Sequence, residues 1–323
     1  MKKEIGPFRI EIPMGVMFQS VNCYLVPGDQ LTLIDCGLYA DDNWDILQQR
    51  IIAHGYQVSD IEQVIITHEH QDHIGLLPEI LEHSKAIIKA PKAISEWFVN
   101  PKAIQEKENL FAQKLIQTLG FPIDVLSHSF DLMEHSPEIR AIKELDRIQY
   151  FNSGDFLHIA NEEWEVLNTA GHCPTQFVFC NHQQSRIFGS DMLLPLAPMP
   201  IVVEDPGNDG NPVRALAELL NSFERLKTYA FQTVYPGHGE IFQNANENIK
   251  KQIARIKVRK DECCEAIKSG LNTPYLVNRK MYPYQQMPPD FSGLHMVLGY
   301  IDLLIEEGAV KKEYNDAGEL QLY

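Results

Sequence analysis

The stretch Val64-Ile65-Ile66-Thr67-His68-Glu69-His70-Gln71-Asp72-His73-Ile74-Gly75 joins a short apolar run to four potential metal ligands. Val64, Ile65 and Ile66 are β-branched and uninterrupted, the pattern of a strand buried on both faces. His68 stands where such a strand ends, and side chains leaving the C-terminal edge of a sheet converge without disturbing the core. Imidazoles at His68 and His70, then a carboxylate and an imidazole at Asp72 and His73, suit zinc and also iron or manganese. On a helix His68 and His70 would point apart. On an extended loop they share a side, and a turn at Asp72 and His73 aims the second pair at a neighbouring ion.

An apolar strand followed by Thr-His-x-His-x-Asp-His resembles the signature of the metallo-β-lactamase superfamily, which includes glyoxalase II-type thioesterases, nucleases and persulfide dioxygenases. The resemblance implies three later ligands, and matching segments follow in order: Ala170-Gly171-His172-Cys173-Pro174, Ile187-Phe188-Gly189-Ser190-Asp191 and Val234-Tyr235-Pro236-Gly237-His238-Gly239. It covers residues 10 to 244. The implied fold is α/β, a four-layer αβ/βα sandwich. The implied cofactor is a pair of divalent ions, zinc first, with iron or manganese as alternatives. His68, His70 and His172 would hold one ion, Asp72, His73 and His238 the other, and Asp191 would bridge them. Such a pair lowers the pKa of a shared water from about 15.7 towards about 7, so that a bridging hydroxide attacks a carbonyl or phosphoryl centre. Asp72 is the candidate for a catalytic proton shuttle. Asp35, in Asp35-Cys36-Gly37 at the end of another apolar run, is either a plain turn residue or a support behind the ligands. One departure stands out: glyoxalase-like members continue the Gly-His turn as Pro-Gly-His, where this chain has Pro174-Thr175-Gln176.

Bulk properties narrow the reading. At 323 residues and 44% hydrophobic content, the chain has room for two domains and a large core. No apolar run reaches the length of a membrane span, and no apolar segment backs the basic start Met1-Lys2-Lys3, so a cytoplasmic protein without membrane contact is expected. Cys23, Cys36, Cys173, Cys180, Cys263 and Cys264 form no CxxC pair and read as reduced thiols. From Ala245 onward 11 basic and 11 acidic residues cancel, so the first 244 residues carry 17 basic against 33 acidic ones, the whole of the net charge of -16. An acidic catalytic region repels phosphodiester backbones unless a local patch overrides it.

Val21 to Val26 and Leu31 to Ile34 flank Pro27-Gly28-Asp29-Gln30 and predict a hairpin. Trp44 to Ala53 has helical spacing, Ile74 to Leu81 reads as a second helix, and Ala86 to Ile88 as a strand. Residues 92 to 153 break this rhythm with Trp97, Phe98, Leu110, Phe111, Leu115, Ile116, Phe121, Phe130 and Met133. An inserted helical cap over the site is expected there, a layer on the sheet being the alternative. Strands resume at Trp164 to Leu167, Phe177 to Cys180, Arg186 to Phe188 and Thr233 to Tyr235, and Val213 to Leu226 is amphipathic. Met192-Leu193-Leu194-Pro195-Leu196-Ala197-Pro198-Met199-Pro200-Ile201 is too proline-rich for a helix. It could wall a pocket for an apolar substrate, or bury itself elsewhere.

Domain organisation follows as 1 to 244 catalytic, with 92 to 153 as the cap, and 245 to 323 as a C-terminal unit. In the latter, Lys250, Lys251, Arg255, Lys257, Arg259 and Lys260 make a basic helix, either a solvated face or an RNA contact. A helix from Phe291 to Glu307 ends at Gly308, and Asn315-Asp316-Ala317-Gly318 joins two short strands. This order resembles the winged-helix extension of some superfamily endoribonucleases and hydrolases. Their last helix ends His-Leu-x-x-Leu-x-x-Glu-Gly, and Tyr300 stands here in place of the His. The leading expectation is a dinuclear hydrolase of a small ester, thioester or lactone-like molecule. An endoribonuclease or other phosphodiesterase, and a mononuclear iron enzyme similar to persulfide dioxygenases, are the alternatives. His128, His135, His158, His182 and His295 are proton donors by residue type alone, and an oligomer is compatible with the sequence.

Overall fold

The computed structural model describes residues 6–15, 19–40, 42–123, 125–126, 140–198, 200–203, 214–283 and 291–323. Its first sheet starts with β1 (Phe8–Pro13), β2 (Ser20–Val26) and β3 (Thr32–Ile34), an antiparallel meander in which Tyr24 faces Ile34 and Val26 faces Thr32. The expected hairpin about Pro27-Gly28-Asp29-Gln30 is therefore present. Helix α1 (Asn43–Ala53) buries Leu47 and Ile51 but leaves Ile52 60% exposed, so the apolar stripe is narrower than its sequence spacing suggests.

The organising strand is β4 (Gln63–Ile65), parallel to β3 on one side and to β5 (Ile87–Pro91) on the other. Val64 and Ile66 pack outward against the α1 side while Ile65 packs inward between the sheets, and all three are fully buried. Fully burying each is worth about 1.5–3 kcal/mol, which anchors the edge from which the metal loop departs. After it come a single turn, α2 (Gln71–Ile74), and then α3 (Leu77–His83). The expected helix from Ile74 is thus displaced: it starts at Leu77, which puts Pro78 in the first turn, where its missing N–H costs nothing.

The stretch 92 to 153 is not helical throughout. It gives α4 (Ser95–Val99) and α5 (Pro101–Gln117), but then β6 (Ile148–Phe151), which pairs in parallel with β5 and completes the first sheet. Phe98 belongs to the apolar layer outside the first sheet, whereas Ile116, Leu119 and Phe121 belong to the layer outside the second. Helix α5, about 25 Å long at 1.5 Å per residue, bridges the two outer layers. Phe130, Met133, His128 and His135 lie outside the described residues.

The second sheet runs β12 (Phe242–Gln243), β11 (Thr233–Pro236), β10 (Arg186–Ser190), β9 (Phe177–Asn181), β8 (Glu162–Asn168), β7 (Phe156–Ile159), with only β10 and β11 parallel. Between the sheets lie Tyr24, Phe151, Trp164, Phe177, Phe179, Phe188 and Tyr235, an aromatic layer. Helix α6 (Ala215–Leu226) covers the second sheet's outer face; Val213 and Met199 lie outside the described residues. Helices outside, sheets inside: the fold is the expected αβ/βα sandwich.

The last segment comprises α7 (Ala245–Lys268), α8 (Pro274–Met281), α9 (Phe291–Glu306) and the hairpin β13 (Lys312–Tyr314) with β14 (Leu320–Leu322). Ile249, Ile256, Leu294, Val297 and Tyr300 join Leu216, Leu219 and Phe223 of α6 in one core, so the helical layer is continuous across residue 244. Tyr300 is 2% exposed and is a packing residue of that core. Among the described residues no helix is long and apolar enough to cross a membrane. All six cysteines are free and buried.

Candidate metal centre

The seven side chains marked by sequence converge on the edge where β4, β10 and β11 end. His68, His70 and His172 present one ligand atom each within 4.8 Å of one another, and so do Asp72, His73, Asp191 and His238. The first group points three ring nitrogens at one spot: His68 Nε2 lies 3.2 Å and His172 Nε2 2.7 Å from His70 Nδ1. Asp191 Oδ2 lies between the groups, 3.8 Å from His68 Nε2, 3.5 Å from His172 Nε2 and 3.4 Å from His73 Nε2. Its Oδ1 is 3.5 Å from His238 Nε2, and Asp72 Oδ2 is 3.3 Å from the same nitrogen. The second pair of the motif does not sit on an extended loop, as the sequence suggested for the first; it rides on α2, whose N-cap is His70.

The outward ring nitrogens explain the inward ones. His73 Nδ1–H donates to Asp35 Oδ2 at 2.7 Å, His172 Nδ1–H to the Pro200 carbonyl at 2.7 Å, and His238 Nδ1–H to the Ser20 carbonyl at 2.8 Å. A neutral ring that donates from one nitrogen keeps a lone pair on the other, the state a metal needs. Asp35 is therefore more than a turn residue. Held at φ 57°, it also accepts from the Thr67 amide at 2.9 Å and from Thr67 Oγ1. Thr67 Oγ1 in turn lies 3.0 Å from His68 Nδ1 and receives Ser190 Oγ at 2.9 Å. One buried threonine thus links the support behind His73 to His68. Sequence reasoning missed Thr67, Ser190, Ser20 and Pro200, although Thr67 and Ser190 stand inside the motifs.

Burial and charge separate the groups. Burial pulls the pKa of His68 well down, and adjacent His73 and His70 push the same way; burial and His70 bring His172 to about 4. This trio is neutral at pH 7. In the second group burial acts against charge on His73 and His238, but Asp191 and Asp72 overcome it and lift His238 to about 10. Burial likewise opposes ionisation of Asp191, yet His238 and His73 hold its pKa well below the usual carboxylate range.

The donor set fits a divalent ion. Three imidazole nitrogens converge on one spot, where a single cation would take a lone pair from each. Moreover, buried His73 Nε2 and both oxygens of Asp191 have no hydrogen-bond partner among the described residues. Uncompensated buried polar atoms of this kind are costly, and an ion satisfies all of them at once. Gly237 belongs to the same design, since a Cβ there would lie 2.1 Å from Asp191 Oδ1.

Around the centre, buried Glu69 accepts a hydrogen bond from Thr175 Oγ1, which gives the departure at Pro174-Thr175-Gln176 a role of its own. Glu108 on α5, at the surface yet flanked by protein, has its pKa lifted to about 7 by desolvation and then by the Glu69 carboxylate. The bridging helix therefore passes near the metal loop. The other candidate histidines are elsewhere: His158 pairs with Asp29 and Glu163, His182 with Glu165, and His295 accepts from the Val203 amide. Among the described residues, Asp72 is the one proposed proton carrier in the cluster.

Comparison with known proteins agrees with this geometry. The family model described as the metallo-beta-lactamase superfamily matches residues 16–238. A probable metallo-hydrolase of Bacillus subtilis, YqjP, is 27% identical over 303 residues, covering 93% of this chain and 92% of its own. An atrochrysone carboxyl ACP thioesterase of Aspergillus fumigatus is 20% identical, covering 80% of this chain and 62% of the relative. Among solved structures, the metallo-beta-lactamase family protein TTHA1429 of Thermus thermophilus superposes with a TM-score of 0.79 at 18% identity, covering 98% of this chain and 97% of that one. A beta-lactamase domain protein of Burkholderia ambifaria gives 0.79 at 19% identity, covering 99% and 92%.

Proposed function

The chain belongs to the metallo-beta-lactamase superfamily and is a metal-dependent hydrolase, and from that premise we propose that it uses two divalent ions, zinc first, to hydrolyse a small ester or thioester. The observation that carries this reading is Asp191, whose two oxygens face the two ligand groups at once. When bound, such ions supply Lewis acidity and make water nucleophilic at neutral pH.

The chain's own residues account for the rest. His68, His70 and His172 would hold one ion and Asp72, His73 and His238 the other, with Asp191 shared. Asp35, Ser20 and Pro200 orient the imidazoles, so little rearrangement is needed when substrate arrives. Asp72, with a side chain 14% exposed where the other acid of the cluster is sealed, can pass a proton to the departing group. The loop after Asp191 supports an apolar substrate: Leu196 is 89% exposed on it, and Leu110 is 56% exposed on α5. The thioesterase relative points the same way.

The charge distribution favours a small molecule over RNA. Of the basic helix, Lys251 is paired with Glu247, Arg259 with Glu262 and Lys260 with Glu307. Lys250, Arg255 and Lys257 remain as exposed bases, few against the acidic first 244 residues. A mononuclear iron enzyme needs only the first group, whereas the second is complete here.

The test is elemental analysis of purified protein followed by a panel of acyl-thioesters, aryl esters, lactones, bis-phosphodiesters and RNA. Two metals per chain and turnover confined to acyl substrates are expected. One iron per chain, or turnover of RNA alone, would overturn the proposal.

A further inference from the structure

The loop that follows Asp191 is tied down by the C-terminal helices with unusual polar investment. On α7, Asn248 and Gln252 stand one turn apart and are 8% and 3% exposed. Both spend an amide N–H on the Leu194 carbonyl, each at 3.0 Å. Two buried amides aimed at a single carbonyl contribute little net stability, because each gave up water to get there. What they do is fix where that carbonyl lies.

The far end of the loop is fixed by α9. His295 Nδ1 accepts the Val203 amide at 2.7 Å. At Gly299 a Cβ would meet Ile201 Cδ1 at 2.7 Å, so that helix presents a bare backbone to let the loop pass. Between these two anchors the loop reaches the metal centre. The Pro200 carbonyl accepts His172 Nδ1–H at 2.7 Å, and the Val202 amide donates to the His172 carbonyl at 2.9 Å. At the near end Pro195 lies against the turn that delivers His238, 2.9 Å from where a Gly239 Cβ would be. The strap thus begins at one candidate ligand, backs a second and abuts the turn of a third.

We propose that the C-terminal helices are the scaffold of the metal centre, with Asn248, Gln252 and His295 acting as positioning residues that hold the strap at Leu194 and Val203 and, through Pro200, the ring of His172. This rests on the reading of His68, His70 and His172 as a metal site. It gives residues 245–323 a role in this chain that needs no nucleic acid. Of the three ligands in that group, His68 and His70 come from the strand edge itself, and only His172 takes its orientation from the strap.

The experiment uses the full chain with cobalt(II) as probe, since its visible absorption reports ligand geometry and its titration reports affinity. Variants are Gln252→Met, Asn248→Leu and His295→Phe, which keep bulk and remove the polar contact, with Gln252→Glu and Arg255→Ala as comparisons. Removing a partner that orients a metal-bound histidine typically costs about 10–100-fold in affinity. The double variant Asn248→Leu/Gln252→Met is expected to lose affinity by that order at one of two cobalt sites and to shift the absorption band of that site. Metal-free melting temperature is measured in parallel. Arg255→Ala, on the solvent face of the same helix, should bind as the parent does. If the parent binds cobalt and every variant binds it with unchanged affinity and spectrum, the scaffold proposal fails while the metal reading stands. Affinity lost only in proportion to a fall in metal-free melting temperature also defeats it. A parent chain that binds no cobalt removes the reading beneath it.

Discussion

Replacing Asp35 by Asn tests whether the support behind the ligands matters more than its charge. Asp35 Oδ1 accepts the Thr67 amide at 2.9 Å, and an asparagine carbonyl keeps that bond. The amide nitrogen must then occupy the Oδ2 position, 2.7 Å from His73 Nδ1. Two donors now face each other, and the ring relieves this by moving its proton to Nε2. That nitrogen is the one 3.4 Å from Asp191 Oδ2, so the proton takes the place of the ion. Loss of such an orienting partner costs about 10–100-fold in metal affinity, equal to about 1.4–2.7 kcal/mol. Competition against a chromophoric chelator measures it, and nitrogen-15 correlation spectra of the histidine rings report which nitrogen carries the proton. A D35N protein that binds both ions as tightly as the parent, with His73 still protonated at Nδ1, would falsify the tautomer argument.

Three further outcomes follow from the same geometry. His70→Ala or Asp191→Ala should remove metal and turnover together, seen by elemental analysis beside a thioesterase assay; activity in a metal-free variant would refute the proposed chemistry. Gly237→Ala places a methyl 2.1 Å from Asp191 Oδ1, so it should lower the occupancy of both sites and destabilise the chain by about 1–3 kcal/mol, read by dialysis and denaturant melts. The metal-free protein should lose stability as pH rises. The His238 pKa is raised from 6.5 to about 10, so its contribution is complete below about pH 6.5 and is lost through pH 10. Excess zinc should flatten this trend, because the ion takes the place of the protons; thermal melts from pH 6.5 to 10 with and without metal decide it.

Three of the candidate ligands, His68, Asp191 and His238, were legible because each follows the end of an apolar strand, while Asp72 and His73 ride on α2 behind the first. Val64 to Ile66, Arg186 to Ser190 and Thr233 to Pro236 all deliver their ligand within three residues. The sandwich was implied by the resemblance that these motifs carry, and the strands themselves showed only a β-α-β rhythm. What stayed hidden depends on backbone rather than residue type. Ser20 and Pro200 act through their carbonyls, to which any residue could contribute, so nothing in their identity announces the role. β6 was taken for part of a cap because Ile148-Gln149-Tyr150-Phe151 is an edge strand with one fully buried residue, a weak alternation beside the helical pattern before it. β1 was passed over although Ile10 and Ile12 alternate with Arg9 and Glu11 across its two faces. Nothing in the sequence of the basic helix marks Asn248 and Gln252, since only the fold turns them inward.

The two ligand groups differ in a way that bears on how the centre fills. The His68, His70 and His172 trio is kept neutral by burial, so an ion entering it would displace few protons from the imidazoles. The group of Asp72, His73, Asp191 and His238 already balances its charges, with protons on the imidazoles offsetting the carboxylates. An ion entering there exchanges for protons, and its affinity must rise with pH as those protons leave. With two ions, as proposed, Asp191 would couple the two events, because its two oxygens face the two groups. The strap held by α7 and α9 acts on the neutral trio through His172, and Asp35 acts on the charged group through His73. Thr67 is the covalent neighbour of His68 and the hydrogen-bond partner of Asp35, so the supports of the two groups meet in one side chain.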